Sequence, residues 1–254
     1  MKIWQYKKKK LTIFVIQNSD VLIVVPAYNE AATIVQVVIG IHSVGFSCVV
    51  IDDGSIDNTA FLAKEAGATV LTLPFNAGVG GALRCGFRYA VENGFTAVIQ
   101  CDADGQHQSH HFHDLVRAAN ETNADLVLGS RFRSSENMMD PHVVRRFAMW
   151  WLARVASRAT GRKITDSTSG FRLIRRPLLD ELAVHLPEYY LGDTFETLVV
   201  VGRAGYLVEE IGTAMSPRQS GVSSASNGRA IALIGKSLIT VLLRLHFQIM
   251  KKPQ

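Results

Sequence analysis

Cysteine is scarce in this chain of 254 residues, and the three present, Cys48, Cys85 and Cys101, are scattered. An odd, dispersed set without CxxC or Cys/His finger spacing excludes a disulfide scaffold and a structural zinc finger, and it suits a reducing compartment. Charge is sparse as well, at 19% against 48% apolar residues, which excludes a disordered chain. Long apolar runs are missing. Lys7–Lys10 lead into only Leu11–Ile16, shorter than a signal-peptide core and without a small-residue cleavage site, so the start reads as a solvated leader. Residues 230–250 are apolar but broken by Lys236 and Arg244. At about 2.5–3.5 kcal/mol for each charge at a bilayer centre, a spanning helix there is disfavoured.

Acid is missing from both ends. Residues 1–10 carry five lysines and residues 211–254 carry six basic residues, with no Asp or Glu in either stretch. The remainder holds 16 basic and 22 acidic residues. An acidic body with basic ends excludes a nucleic-acid reader, which shows one continuous basic face, and fits docking on an anionic membrane surface. Arg229, Lys236, Arg244 and Lys251 are spaced 7, 8 and 7 apart, opposite Leu238, Val241, Leu242, Leu245 and Ile249. That pattern describes an amphipathic helix in the membrane interface, or one packed on the protein's own body.

What is present is an α/β alternation. Strands are expected at Val21–Val25, Ser47–Ile51, Thr69–Leu73, Thr96–Cys101 and Asp125–Leu128. Helices are expected at Glu30–Ser43, Asp57–Ala66, Gly80–Asn93 and Ser109–Asn120, with Asp57 as an N-cap. The pattern predicts a mainly parallel sheet covered on both faces, with ligands at the C-terminal strand ends. We read residues 1–20 as a basic leader, 21–225 as one domain and 226–254 as a basic helical tail.

Acidic and turn-forming residues follow those strand ends. Asp102 and Asp104 come directly after the apolar strand Ala97–Cys101, where alternate side chains share a side. Two such carboxylates repel unless a cation or proton intervenes, and Mg²⁺ favours one or two carboxylates together with substrate phosphates. Gln106 could add an amide oxygen. Asp52 and Asp53 close another strand and could accept hydrogen bonds from a base or ribose. Gly78, Gly80 and Gly81 precede a helix, but Leu83 stands where a dinucleotide fingerprint has its third glycine, and the loop follows the third strand. Residues 145–176 hold nine basic residues against Asp166 alone, a plausible phosphate receptacle in Arg145 and Arg172, with Arg154 and Arg158 on a solvated helix face. His107, His110, His111 and His113 lack an evident third zinc ligand and read as a solvated helix start.

Taken together, these residues resemble the family 2 glycosyltransferases of GT-A fold, and within them the polyprenyl (dolichyl) phosphate mannosyl and glucosyl transferases. The matching pieces are Val24–Glu30, Val50–Ser55, Asn76–Ala82, Cys101–His107, Leu128–Phe132, Asp166–Arg172, Phe195–Glu196 and Arg218–Ser223. The resemblance implies a Rossmann-like GT-A domain that binds a nucleotide sugar, a GDP- or UDP-hexose. Pro26, Ala27, Tyr28, Glu30, Asp52, Asp53, Asn76, Asp102, Ala103, Arg131, Ser169 and Arg218 would contact the donor. Asp102, Asp104 and Gln106 would hold Mg²⁺ or Mn²⁺. Asp102, Asp104, Arg145 and Glu196 would be catalytic, with Arg131, Arg145, Ser169 and Arg218 near phosphates. Ser223-Ser224 departs from the Ser-Lys of relatives, removing a phosphate-contacting lysine.

The implied reaction is an inverting hexose transfer to a polyprenyl phosphate by an enzyme held peripherally on the inner face of the membrane; a homo-oligomer stays open. A phosphate monoester, with a second pKa of about 6, needs no general base at pH 7. Two alternatives stand beside it. One is transfer to a saccharide hydroxyl with Asp193 or Glu196 as base, the other an inactive nucleotide-sugar-binding subunit. A nucleotidyltransferase would carry a lysine-rich glycine loop where this chain has Ala27–Ala31.

Overall fold

A computed structural model describes residues 15–131, 143–186, 192–214 and 249–252. Seven strands, β1 (Val21–Ala27), β2 (Ser47–Asp52), β3 (Thr69–Thr72), β4 (Ala97–Gln100), β5 (Leu126–Ser130), β6 (Arg172–Arg175) and β7 (Val208–Gly212), form one sheet. Their order is β3-β2-β1-β4-β6-β5-β7. The helices are α1 (Ile34–Ser43), α2 (Thr59–Glu65), α3 (Gly78–Glu92), α4 (His111–Thr122), α5 (Val143–Thr160), α6 (Leu178–His185) and α7 (Thr197–Arg203).

The central strands are β-branched runs buried on both faces, as a parallel sheet between helical layers requires. In β1, Leu22 and Val24 belong to a core with Leu83 and Phe87 of α3, while Ile23 and Val25 pack with Ile34 and Val38 of α1. Each such side chain, removed from water, contributes about 1.5–3 kcal/mol. Gly86 lets α3 settle on the sheet, since a Cβ there would lie 2.3 Å from Val24 Cγ1.

Five expected strands and four expected helices are present. The expected helix at Asp57 begins later, at Thr59, with Asn58 in the capping position, yet Asp57 Oδ1 still accepts the Thr59 N–H at 3.0 Å. Among the elements that escaped the reading, β6 matters most. β6 runs antiparallel to both neighbours, pairing Gln100 with Arg172 and Leu128 with Arg172. A reversed strand begins where its parallel neighbours end, so the loop before it, Asp166–Gly170, arrives at the edge where β4 and β5 deliver their own loops.

β6 also changes the reading of the basic segment. Arg172 is buried, and its Nη2 donates to the Ser169 carbonyl at 2.6 Å. Arg175 Nη1 donates to Ala119 O and Asn123 Oδ1 at the end of α4, and Arg176 Nη2 to Val91 O at the end of α3. Arg175 and Arg176 serve the carbonyl ends of helices, where positive charge is stabilising. Only Arg154 and Arg158 match the expected solvated face, and both are exposed.

Most of the expected tail helix lies outside the described residues. Its end does not. Ile249 packs against the core, Met250 N–H donates to Glu181 Oε2 at 3.0 Å, and Lys252 Nζ pairs with Asp125 Oδ2 at 2.7 Å. Here the tail lies on the protein's own body.

Candidate active site

Three loops at the C-terminal edge of β1, β2 and β3 are stitched together by their own side chains. Asn29, at φ +56°, donates its N–H to Ser55 Oγ at 2.9 Å and accepts the Ile56 N–H on its Oδ1 at 2.9 Å. Asp57 Oδ2 accepts the Ala31 N–H, and the Glu30 N–H meets Thr59 Oγ1. Buried Asp53 accepts the Ala77 and Gly78 N–H groups at 2.7 and 2.9 Å, one on each oxygen. Burial pushes the Asp53 carboxyl above the usual carboxylate range, against those two hydrogen bonds, and neighbouring Asp52 adds to the rise. Of the two acids, Asp53 is engaged in fixing the glycine loop. Asp52 is buried and accepts one bond, from Ser55 N–H at 3.2 Å.

The loops frame an opening. Tyr28 is exposed, Pro26 and Glu30 are half-buried, Ala27 is buried and Asn76 is exposed. Glu30 Oε2 takes the Thr33 hydroxyl at 3.1 Å.

At the tip of β4 the two aspartates sit differently. Asp104 is buried with Ala103, and its Oδ1 accepts the Gln106 N–H at 3.1 Å. The Asp102 side chain is 42% exposed. Its backbone is held by His107, whose Nδ1 accepts the Asp102 N–H at 3.0 Å while the ring stacks on Phe171 at 4.6 Å. That bond assigns the ring proton to Nε2. Burial holds the His107 pKa below the ordinary histidine value, against the pull of the Asp102 and Asp104 charges. His107 is therefore a buried support and not part of a solvated helix start. His111 corrects that reading too, since its Nδ1 donates to Asp114 at 2.9 Å and its Nε2 accepts the Ala214 N–H at 3.0 Å.

The loop before β6 comes close to Asp102. Gly170 is the point of closest approach, since a Cβ there would stand 3.4 Å from both Asp102 carboxylate oxygens. Arg131, at the end of β5, grips Asp166 with its fork, Nε to Oδ2 at 2.7 Å and Nη2 to Oδ1 at 2.9 Å. Asp166 is fully buried, and Glu210 receives the Thr165 and Asp166 N–H groups. The lone acid in a basic segment was the signal that could have pointed to this clamp; nothing in the sequence marked Glu210. Ser169 is buried, and its hydroxyl accepts the Phe171 N–H at 3.2 Å.

The remaining expected residues are less fully placed. Glu196 is half-buried in a π-helical turn, Gly192–Glu196, that leads into α7. Arg145 stands on α5, with its side chain outside the described residues, as are the side chain of Asp193 and all of Arg218.

The donor set suits a hard divalent cation. It consists of carboxylate oxygens, those of Asp102 open to solvent, beside a glycine that leaves room. Among the described residues no three His, Cys, Asp or Glu side chains converge into a cage. An ion here would need further oxygens from a substrate, as Mg²⁺ takes from phosphates.

Residues 22–183 match Glycosyl transferase family 2. The chain belongs to that family. It is 28% identical to an undecaprenyl-phosphate mannosyltransferase of Micrococcus luteus over 87% of its own length and 92% of the relative's. A polyprenol monophosphomannose synthase of Mycolicibacterium smegmatis is 30% identical, with 81% of this chain and 80% of the relative covered. Among solved structures, glucosyl-3-phosphoglycerate synthase from Mycobacterium tuberculosis, in complex with Mg²⁺ and uridine diphosphate, superposes with a TM-score of 0.65 at 20% identity, over 88% of this chain and 78% of that one. The chain is a glycosyltransferase with the GT-A fold, and no helix among the described residues is long and apolar enough to cross a membrane.

Proposed function

We propose that this glycosyltransferase moves a hexose from a nucleotide sugar to a polyprenyl phosphate at a membrane surface, in a divalent-metal-dependent, inverting reaction. The observation that supports the reading is the approach of Gly170, at the end of the loop that Arg131 holds through Asp166, to the Asp102 carboxylate, two residues before buried Asp104. The relatives named for undecaprenyl phosphate and polyprenol support the acceptor class.

The donor's base and ribose would lie along Tyr28, Glu30 and Asp52, in the opening that Asn29, Ser55 and Asp53 keep in shape. Its diphosphate would then reach Asp102 and Asp104. Mg²⁺ or Mn²⁺, held by those carboxylates with Gln106 nearby, would supply charge to offset the departing diphosphate. The acceptor is a phosphate monoester that already carries an unprotonated oxygen at pH 7, so this chain need only orient it. One acceptor oxygen forms a bond to the anomeric carbon from the face opposite the leaving group. The bond from that carbon to the diphosphate oxygen breaks, and a nucleoside diphosphate leaves with the electron pair. The products are a polyprenyl phosphohexose of inverted configuration and the nucleoside diphosphate. Arg131 would draw phosphate charge toward the Asp166 loop, and Glu196 would be the acid near the sugar.

The test is nucleoside diphosphate release from a panel of nucleotide sugars with Mn²⁺ and a polyprenyl phosphate. Release that needs the lipid phosphate and the metal, and that falls at least a hundredfold in Asp102→Asn and Asp104→Asn, supports the reading, about the scale of removing one charge-stabilising group. Release that needs a saccharide acceptor instead, or that survives both substitutions, contradicts it.

A further inference from the structure

A cavity whose lining includes neither aspartate lies between the C-terminal half of α5 and the returning segment Gly161–Thr165, with a volume of about 780 Å³. Its chemistry is one-sided. Arg154, Arg158, Arg162 and Lys163 line it, all four are exposed, and among the described residues no acidic side chain joins the lining. Trp150, Arg154 and Arg158 follow at intervals of four along α5, so they form one stripe. Trp150 is 55% exposed, with the Arg154 guanidinium 5.6 Å from its ring centroid. The floor beneath is apolar and includes Met149, Ala153 and Ile164.

The cavity is built, not incidental. Gly161, at φ +66°, turns the chain back at the end of α5, which brings Arg162 and Lys163 alongside the helix. Ser157 fixes the return. Its hydroxyl donates to Ala153 O at 2.7 Å and accepts the Ile164 N–H at 2.9 Å. The acids beside Thr165 are both buried and engaged, Asp166 gripped by Arg131 and Glu210 accepting the Thr165 and Asp166 N–H groups, so they do not neutralise the four cations.

We propose that this cavity docks the protein on a membrane by receiving the phosphate headgroups of anionic phospholipids. Guanidinium forks match phosphate oxygens, and an exposed tryptophan over an apolar floor is the side chain that settles at headgroup depth. The charge complements an anionic leaflet. A nucleic acid would use the cations but leave the apolar floor unexplained. Thr165 lines the cavity and Asp166, its neighbour, anchors Arg131, so docking here sets the active-site edge beside the lipid surface. The proposal takes its choice of surface from the function assigned above, but its test does not involve the reaction.

The full chain is sedimented with vesicles of phosphatidylcholine alone and of phosphatidylcholine mixed with phosphatidylglycerol, in the absence of donor and acceptor. The wild type is expected to bind the anionic vesicles and not the neutral ones. Since each interfacial basic residue is worth about fivefold in partitioning, the triple variant Arg154→Gln, Arg158→Gln, Arg162→Gln should bind about a hundredfold more weakly. Trp150→Ala should bind severalfold more weakly, and circular dichroism melts confirm that both variants fold. Binding by the triple variant within twofold of wild type, equal binding to both vesicle types, or no binding by the wild type overturns the proposal. Because no sugar is transferred in this assay, an inactive chain that docks, or an active one that does not, separates this proposal from the assigned function.

Discussion

Replacing Asp166 with Asn tests the clamp behind the candidate site. Asp166 is fully buried and accepts three N–H groups of Arg131, from the backbone at 3.2 Å, Nε at 2.7 Å and Nη2 at 2.9 Å. The amide keeps one acceptor and turns an NH₂ group toward a donor. Breaking a fully buried ion pair costs about 3–5 kcal/mol. The Arg131 side chain is 37% exposed, so water can take part of the freed guanidinium, which lowers the expectation to about 2–3 kcal/mol. For a chain of this size that is a fall in Tm of about 4–12 °C. Urea titration followed by circular dichroism reads the stability. A double-mutant cycle with Arg131→Gln should show a coupling of at least about 1 kcal/mol, because each single change already breaks the same pair. A loss below about 0.5 kcal/mol, the scale of ordinary surface substitutions, or additive single changes, would refute the argument that the fork holds this loop.

Other expectations follow from the same geometry. His107→Ala should weaken the apparent divalent-ion affinity in donor binding by about tenfold, the scale of losing a supporting partner, whereas His107→Asn, whose Oδ1 can take the Asp102 N–H, should recover most of it; equal effects of both would remove the positioning role. Gly86→Ala should destabilise by up to about 2 kcal/mol, because overpacking against Val24 costs about 1–3 kcal/mol and helix preference returns about 1 kcal/mol. Adding Val24→Ala should then cost less in the Gly86→Ala background than in wild type, and a urea titration showing no such difference contradicts the close approach of α3 to β1. Burial raises the Asp114 carboxyl, but hydrogen bonds and charge from His111 and Arg117 outweigh it and hold the pKa below the usual range. Its stabilisation is present above the ordinary aspartate pKa of about 3.9 and is lost as pH falls through the lower folded value. The stability gap between wild type and Asp114→Asn should therefore close in acid, and a gap independent of pH would count against the contact.

The parallel half of the fold was legible because burial on both faces writes itself as β-branched runs such as Val21–Val25, and because Asp, Asn and Gly punctuate each strand end. The antiparallel strand was not. Arg172–Arg175 puts arginines at both ends of a buried strand, and a charge pattern of that kind reads as surface until its partners, here Ser169 O and the ends of α3 and α4, are known. The carboxylates at the β4 tip were legible from their spacing, but their unequal exposure was not, since it depends on how the turn after β4 packs in three dimensions. The histidines after them misled for a related reason. His107 and His111 spend their ring nitrogens on a backbone N–H apiece, from Asp102 and Ala214, and the second partner is more than a hundred residues distant in sequence.

Thermal shift with nucleotide sugars, with and without Mn²⁺, tests the central claim most directly. A donor at about a hundred times its Kd should add about 2.7 kcal/mol to the native state, a rise of about 5–11 °C for a chain of this length. The account predicts that this rise needs the divalent ion and disappears in the double variant Asp102→Asn, Asp104→Asn. A rise of the same size in the presence of a chelator, or in that double variant, would contradict it.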